Sequence, residues 1–194
     1  MTAENNAAYL ALVLPGEKML ERQTDGAVGY DAYVRAVVSE EWDEKVPYMW
    51  KALFDFKHMP KDKEIARHVR RIKNEQGKSE LVYVVYPGER IRVGFGVVFA
   101  LPFPMGAIPL VRSKMSNDWG QYVVFNLFDS DFRGELAAMI NNHTEEEIVL
   151  RYHMRIAQFI ILPLQTPEFT LVNTWEDLPP TDRGTKGLGS TGRF

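Results

Sequence analysis

The stretch Leu81-Val-Tyr-Val-Val-Tyr-Pro-Gly-Glu-Arg-Ile-Arg-Val-Gly-Phe-Gly-Val-Val-Phe-Ala100 decides the fold class of this chain. Two runs rich in valine and aromatic residues meet at Pro87-Gly88, a pair that punctuates strands, and such side chains favour a pleated, half-buried surface. The same grammar recurs on both sides. Tyr9 to Leu14 is closed by Pro15-Gly16, Ala32 to Val38 follows a turn-rich segment, and Pro102 and Pro104 precede Ala107 to Val111. Further runs are Tyr122 to Phe128, Glu135 to Ile140, Glu147 to Tyr152, Ile156 to Leu164 and Glu168 to Trp175, with turn residues at Ser116-Asn-Asp118, Asp129-Ser-Asp131 and Asn141-Asn-His-Thr144 between them. Many short strands at this spacing predict an all-β protein, a jelly-roll-like sandwich or barrel.

One segment departs from that pattern. Residues 39–80 read as an insertion, in which Ile65, Ala66, Val69 and Ile72 predict an amphipathic helix over 62–76 that Gly77 would stop. Upstream, Trp42, Tyr48, Trp50, Leu53, Phe54 and Phe56 supply bulk for a shorter helix or a packed loop. Lys63, Arg67, Arg70, Arg71 and Lys73 form the helix's other face, which reads as a solvated charge run rather than a nucleic-acid contact. Gly26 and Gly29, in the turn before Ala32, are expected to take backbone angles that a Cβ would penalise.

The domain reading is a single β domain over 1–178 and a C-terminal arm over 179–194. The arm ends Asp182-Arg-Gly-Thr-Lys-Gly-Leu-Gly-Ser-Thr-Gly-Arg-Phe194, with four glycines, three hydroxyls and three cations. Such a segment has almost nothing apolar to bury, so its order depends on something it grips, and a phosphate suits glycine N–H groups flanked by Arg183, Lys186, Ser190 and Thr191. An ordinary disordered tail is the alternative that composition leaves open. Gly187-x-Gly189-x-x-Gly192 matches the dinucleotide fingerprint in letters only, because no helix can follow it.

Composition narrows the class. The 194 residues are 45% hydrophobic with a formal charge of −3, enough for one good core and without the charge of a nucleic-acid-coating protein. There is no cysteine, which removes disulfide scaffolds, thiolate metal sites and cysteine nucleophiles. The start, Met1-Thr-Ala-Glu-Asn-Asn, has no signal-peptide character and no run approaches spanning length, so the expectation is a soluble intracellular protein with no membrane partner. His58, His68, His143 and His153 fall in no zinc-ligand spacing. The densest carboxylate cluster is Asp129-Ser-Asp131-Phe-Arg133-Gly-Glu135, a polar turn between two apolar runs, which alone reads equally as a structural Asx turn.

Together the motifs say more. Gly29-Tyr-Asp31, Arg112-Ser113, Asp129-Ser-Asp-Phe-Arg-Gly-Glu135, Arg155-Ile-Ala-Gln158 and Arg183-Gly-x-x-Gly-x-Gly-Ser-Thr-Gly192 resemble, in order and rough spacing, the five motifs of the trimeric dUTPase family. The resemblance implies a jelly-roll subunit, a homotrimer with sites at its interfaces, and Mg²⁺-dependent hydrolysis of a deoxynucleoside triphosphate, dUTP, to the monophosphate and pyrophosphate. It implies that Asp129 activates the attacking water and that Arg112, Ser113, Lys114 and Gln158 meet the phosphates. Phe132 would pack under the deoxyribose. Arg183, Gly187, Leu188, Gly189, Ser190 and Thr191 would close over the site, and the Mg²⁺ would be held by substrate phosphates and water rather than directly by the chain.

Several positions depart from the family pattern. Lys114 stands where glycine is usual, Phe132 replaces a tyrosine, Leu188 replaces a stacking phenylalanine, Val123 lies near a usual asparagine, and His153-Met154 replaces Gly-Asp. These keep open a dCTP or modified-pyrimidine diphosphatase, and a regulatory or protein-binding module whose partner surface is the 39–80 insertion. The related dCTP deaminase class is disfavoured, since Ala137 to Ile140 offers no carboxylate.

Overall fold

The computed structural model describes residues 8–119, 122–124 and 126–181. The chain divides into two compact units, Met1–Leu164 and Gln165–Phe194, and the described sheets all belong to the first. Its largest sheet runs in the order β4 (Trp50–Phe54), β3 (Ala36–Trp42), β7 (Arg90–Ala100), β10 (Glu135–Asn141), β9 (Tyr122–Val124), with β1 (Leu10–Val13) also pairing β7. A second sheet orders β11 (Ile148–Leu150), β6 (Ser79–Val85) and β5 (Val69–Lys73), and a third orders β2 (Tyr30–Tyr33), β12 (Arg155–Pro163) and β8 (Met105–Val111). All of these pairings are antiparallel. The result is the expected all-β, jelly-roll-like architecture.

Pro87-Gly88 does not make a simple hairpin. It hands the chain from the second sheet to the first, with Gly88 at φ +79° and its N–H donating to Asn142 O at 2.9 Å. β7 is buried over most of its length because it is flanked by β3, β10 and β1, which explains its nearly continuous apolar sequence. Val93, Phe95 and Val97 of β7 meet Leu136, Ala138 and Ile140 of β10 and Ile156 and Phe159 of β12 in one core. Phe95 stands edge-on to Phe159 at 5.7 Å between ring centres, a favoured aromatic geometry.

The helix expected over 62–76 is corrected to a single turn, α1 (Lys63–Ala66), followed directly by β5. Asp62 caps that turn by accepting from Glu64 N at 2.8 Å and Ile65 N at 3.3 Å. Beyond His68 the apolar partner strand β6 wins: Val69 pairs with Tyr83 and Lys73 with Ser79. Asn74 Oδ1 accepts from Gln76 N and Lys78 N, and Gly77 sits at φ +75°, so the glycine read as a helix stop serves a hairpin turn instead. The aromatic-rich stretch upstream is neither helix nor loop alone, since Trp42 ends β3 and Trp50–Phe54 is β4.

Three further differences concern smaller elements. The turn signal Ser116-Asn-Asp118 lies inside a helix, α2 (Ser113–Trp119), and the run Ala32 to Val38 is divided between β2 and β3. Glu168 to Trp175 forms no strand: in the second unit the described residues are irregular up to one 3-10 turn at Trp175–Asp177, and Phe169 and Leu171 are exposed.

Candidate functional site

Two clefts of the first unit collect the residues singled out by sequence. The first, about 250 Å³, is lined by Gln23, Ala27, Gly29, Asp31, Arg112, Ser113, Lys114 and Gln158. Register builds it: β12 lies between β2 and β8, pairing Gln158 with Asp31 on one side and with Leu110 on the other. Asp31 is buried and is the hub. Arg112 Nε meets Asp31 Oδ1 at 2.9 Å, Arg155 Nη1 meets Oδ2 at 3.3 Å, and Arg112 Nη1 donates to Arg155 O at 3.1 Å. Arg155 Nη1 also donates to Gln23 Oε1.

That arrangement fixes two guanidiniums by one buried carboxylate. Each carries five N–H groups, so donors remain for an anion entering the cleft. Ser113 and Lys114, at the start of α2, are exposed on its rim. Gln158 Nε2 donates to Val111 O at 3.3 Å, which sets the amide against the end of β8. Gly29 is favoured here by space and not by backbone angle: a Cβ would lie 2.4 Å from Gln158 Oε1, so a larger residue would displace the Gln158 amide. Gly26 has open space and no positive φ, so the expectation for both glycines is corrected. Below the cleft, burial and the hydrogen bond donated to Glu21 at 3.0 Å raise the Tyr33 phenol above its ordinary range and keep it a donor.

The second cleft, about 230 Å³, is lined by Trp50, Arg92, Asn126, Leu127, Phe128, Asp129, Phe132, Ala137, Ala138 and Met139. Phe128 bridges back to Ala107 of β8, and Phe132 N donates to Asp129 O at 3.1 Å, so the turn 129–132 is held at both ends. Asp129 is exposed, as a group that must meet a ligand needs to be. Phe132 is half-buried between Phe128 at 5.5 Å and Trp42 at 6.4 Å. Small residues Ala137 and Ala138 form the floor.

Behind this cleft is a buried charge pair. Glu135 is fully buried, and its carboxylate accepts from Arg35 Nε and Nη2 (both 2.8 Å), Trp50 N (2.9 Å) and Gly96 N (2.7 Å). The Trp50 indole N–H donates to Glu135 O at 3.0 Å. The third-motif turn is thereby tied to β4, inside the segment read as an insertion.

Sequence reasoning therefore found Arg112, Ser113, Lys114 and Gln158, which share one cleft, and Asp129 and Phe132, which share the other; among the described residues the two clefts have no lining residue in common. It missed Trp50 and Arg92, whose distance in sequence from the motif leaves no local signal, and it left Asp31 without a role although a lone aspartate beginning an apolar strand could have marked it. Arg183, Gly187, Leu188, Gly189, Ser190 and Thr191 lie outside the described residues. Among the described residues no three His, Asp or Glu side chains converge to hold a metal ion, and no helix is long and apolar enough to cross a membrane.

Comparison with known proteins places these motifs. The dUTPase family model matches residues 78–192. The deoxyuridine 5'-triphosphate nucleotidohydrolase of Nautilia profundicola is 35% identical over 112 residues, 57% of this chain and 77% of that protein. The enzyme of the same name from Paramecium bursaria Chlorella virus 1 is 37% identical over 103 residues, 53% of this chain and 71% of that protein. Among solved structures, the Staphylococcus bacteriophage 80alpha dUTPase with dUPNHPP superposes with a TM-score of 0.62 at 18% identity, covering 96% of this chain and 99% of that one. A mutant dUTPase of phage phi11 of S. aureus, a structure concerned with coordination of a structural Mg(II) ion, gives 0.59 at 15% identity, covering 87% and 99%. At these identities the structures establish the shared fold.

Proposed function

Because the chain belongs to the dUTPase family, we propose that it hydrolyses dUTP to dUMP and pyrophosphate in a homotrimer whose sites join the cationic cleft of one copy to the Asp129 cleft of another. The observation that carries this reading is the separation of the two clefts: each holds half of the needed chemistry, and they share no lining residue. An exposed apolar strip, with Tyr9, Leu10, Leu12 and Val28, supports assembly, since such surface on a lone subunit is costly to leave in water.

The roles follow from charge and geometry. A triphosphate repels a nucleophile, so Arg112, Ser113, Lys114 and Gln158 neutralise and orient its oxygens, with Arg155 and Asp31 holding Arg112 in place. Phe132 packs beneath the deoxyribose, where a 2′-hydroxyl would meet an apolar ring. Asp129 takes a proton from a water as the water oxygen bonds to the α-phosphorus, and the anhydride oxygen leaves with pyrophosphate. A positioned carboxylate base contributes roughly 10²–10⁴ in rate. The arm over 179–194, with Arg183, Gly187, Leu188, Gly189, Ser190 and Thr191, closes on the phosphates and shields the reaction from bulk water.

Mg²⁺ fits this donor set as an ion carried by the substrate, because both oxygens of Asp31, the carboxylate lining the cationic cleft, are engaged by arginines and no carboxylate cage exists among the described residues. Such an ion would be held by triphosphate oxygens and waters, with the Asp31 carboxylate available to bond those waters, and would supply charge neutralisation on the phosphates. The test is turnover of dUTP, dCTP, dTTP and UTP with Mg²⁺, followed by pyrophosphate release, for the wild type and Asp129→Asn. Preferred dUTP turnover that Asp129→Asn abolishes, with binding of a non-hydrolysable analogue retained, is expected. Preferred dCTP turnover overturns the substrate, and an active Asp129→Asn removes Asp129 from the mechanism.

A further inference from the structure

Arg92 is the cation of the Asp129 cleft, and it is set there by aromatic packing. Trp42 and Trp50 stack at 3.8 Å with 12° between their planes, and the Arg92 guanidinium lies 4.8 Å from the Trp50 ring centre. Trp50 is in turn anchored at three atoms: its N–H and indole N–H bond to Glu135, and its carbonyl accepts from Arg35 Nη2 at 3.1 Å. A guanidinium on an indole face is fixed in plane by cation–π attraction while its N–H edges stay available.

Those edges are sparsely used. The Arg92 side chain is 23% exposed, its ion-pair partner Glu40 is 3.5 Å away and itself 81% exposed, and among the described residues the guanidinium makes no hydrogen bond. The cleft is floored by Ala137 and Ala138, and its acceptor side chains, Asn126 and Asp129, make no hydrogen bond to this guanidinium, so a ligand that brings an acceptor to it is favoured. Arginine can only donate. It can therefore donate to a carbonyl oxygen at the edge of a base, whereas it leaves an exocyclic amine, also a donor, unsatisfied.

We propose that Arg92 is a specificity-determining residue that donates to the exocyclic oxygen of a 4-oxo pyrimidine and disfavours the 4-amino base. This rests on the reading of the second cleft as the nucleoside site, and it assigns base discrimination to a side chain of β7 that Trp50 positions from β4.

The experiment compares wild type, Arg92→Met and Arg92→Lys. Methionine keeps apolar bulk on Trp50 and removes the donors; lysine keeps the charge and loses the planar fork. For each, kcat/KM is measured for dUTP and dCTP, and equilibrium binding for their α,β-imido analogues, which reports base reading whether or not the bond is cleaved. Thermal unfolding checks that the variants fold. Loss of a charge-assisted hydrogen bond lowers uracil-nucleotide binding roughly 10–100-fold. Cytosine-nucleotide binding changes little, so discrimination collapses in Arg92→Met and is intermediate in Arg92→Lys. Unchanged discrimination in both variants overturns the proposal, as does a wild type that does not prefer the uracil analogue. A wild type that prefers the uracil analogue, loses that preference in Arg92→Met and cleaves nothing leaves the inference standing and sinks the hydrolase reading instead.

Discussion

Glu135→Ala gives the sharpest test of how the third motif is held. The variant removes a carboxylate that accepts four hydrogen bonds and leaves Arg35, whose side chain is only 10% exposed, with no opposite charge. Breaking a buried pair from one side costs roughly 3–5 kcal/mol, far more than an exposed pair, because the remaining charge is stranded. For a chain of this size each kcal/mol moves the melting temperature by about 2–4 °C, so a drop of roughly 6–20 °C is expected. Calorimetry at one fixed protein concentration measures it, since assembly makes melting concentration-dependent. The double variant Arg35→Met/Glu135→Leu should recover much of the loss, because an apolar pair strands no charge. A fall of less than about 1 kcal/mol in Glu135→Ala would refute the reasoning, and so would a double variant as unstable as the sum of the singles. Whatever Glu135→Ala folds should also bind the uracil analogue more weakly, because the Trp50 N–H loses its carboxylate acceptor and Arg35, which donates to the Trp50 carbonyl, loses the ion pair that holds it.

Two further predictions rest on the same framework. A Cβ at Gly134 would lie 2.3 Å from both Phe132 Cζ and a Trp42 ring carbon, so Gly134→Ala should push Phe132 out of place. Overpacking of that kind costs roughly 1–3 kcal/mol, and an ångström-scale shift of a positioning ring up to about 100-fold in kcat/KM; steady-state kinetics that match the wild type would contradict the placement of the sugar. Removing residues 182–194 should abolish most turnover while the melting temperature and oligomeric state hold, and a truncated chain with full activity would remove the arm from the mechanism.

The strands were legible because their apolar runs are long and bounded by proline, glycine and Asx turns, as at Pro15-Gly16 and Asp129-Ser-Asp131. The stretch 62–76 was misread because Ile65, Ala66, Val69 and Ile72 satisfy a helical spacing, and only pairing with residues 79–83, which that spacing does not encode, makes part of it a strand. The residues of the cationic cleft were legible as motifs since they fall on strand ends that register brings together. Trp50 and Arg92 were not, because their approach to Asp129 depends on a sheet order, β4-β3-β7-β10, in which sequence neighbours and spatial neighbours differ.

The fourth motif shows how a departure from the family pattern is absorbed. His153 stands where glycine is usual, and its φ of +56° is the left-handed conformation that glycine adopts freely and other residues adopt at a cost of about 1–2 kcal/mol. Its neighbours account for the tolerance. His153 N donates to Val34 O at 2.8 Å, its ring stacks on Tyr152 at 3.8 Å, and Nε2 lies 3.1 Å from Glu17 Oε2. Glu17 is nearly buried and also receives the Tyr152 hydroxyl at 2.9 Å, with Lys57 Nζ 3.5 Å away. Two residues on, Arg155 reaches Asp31 and so Arg112. The corner that aims the cationic cleft is therefore held by Glu17 from the N-terminal segment and Lys57 from the 39–80 segment, and the third motif is held by Trp50 from that same segment. A stretch that reads in sequence as an addition to the fold is, in the folded chain, a common support of both clefts.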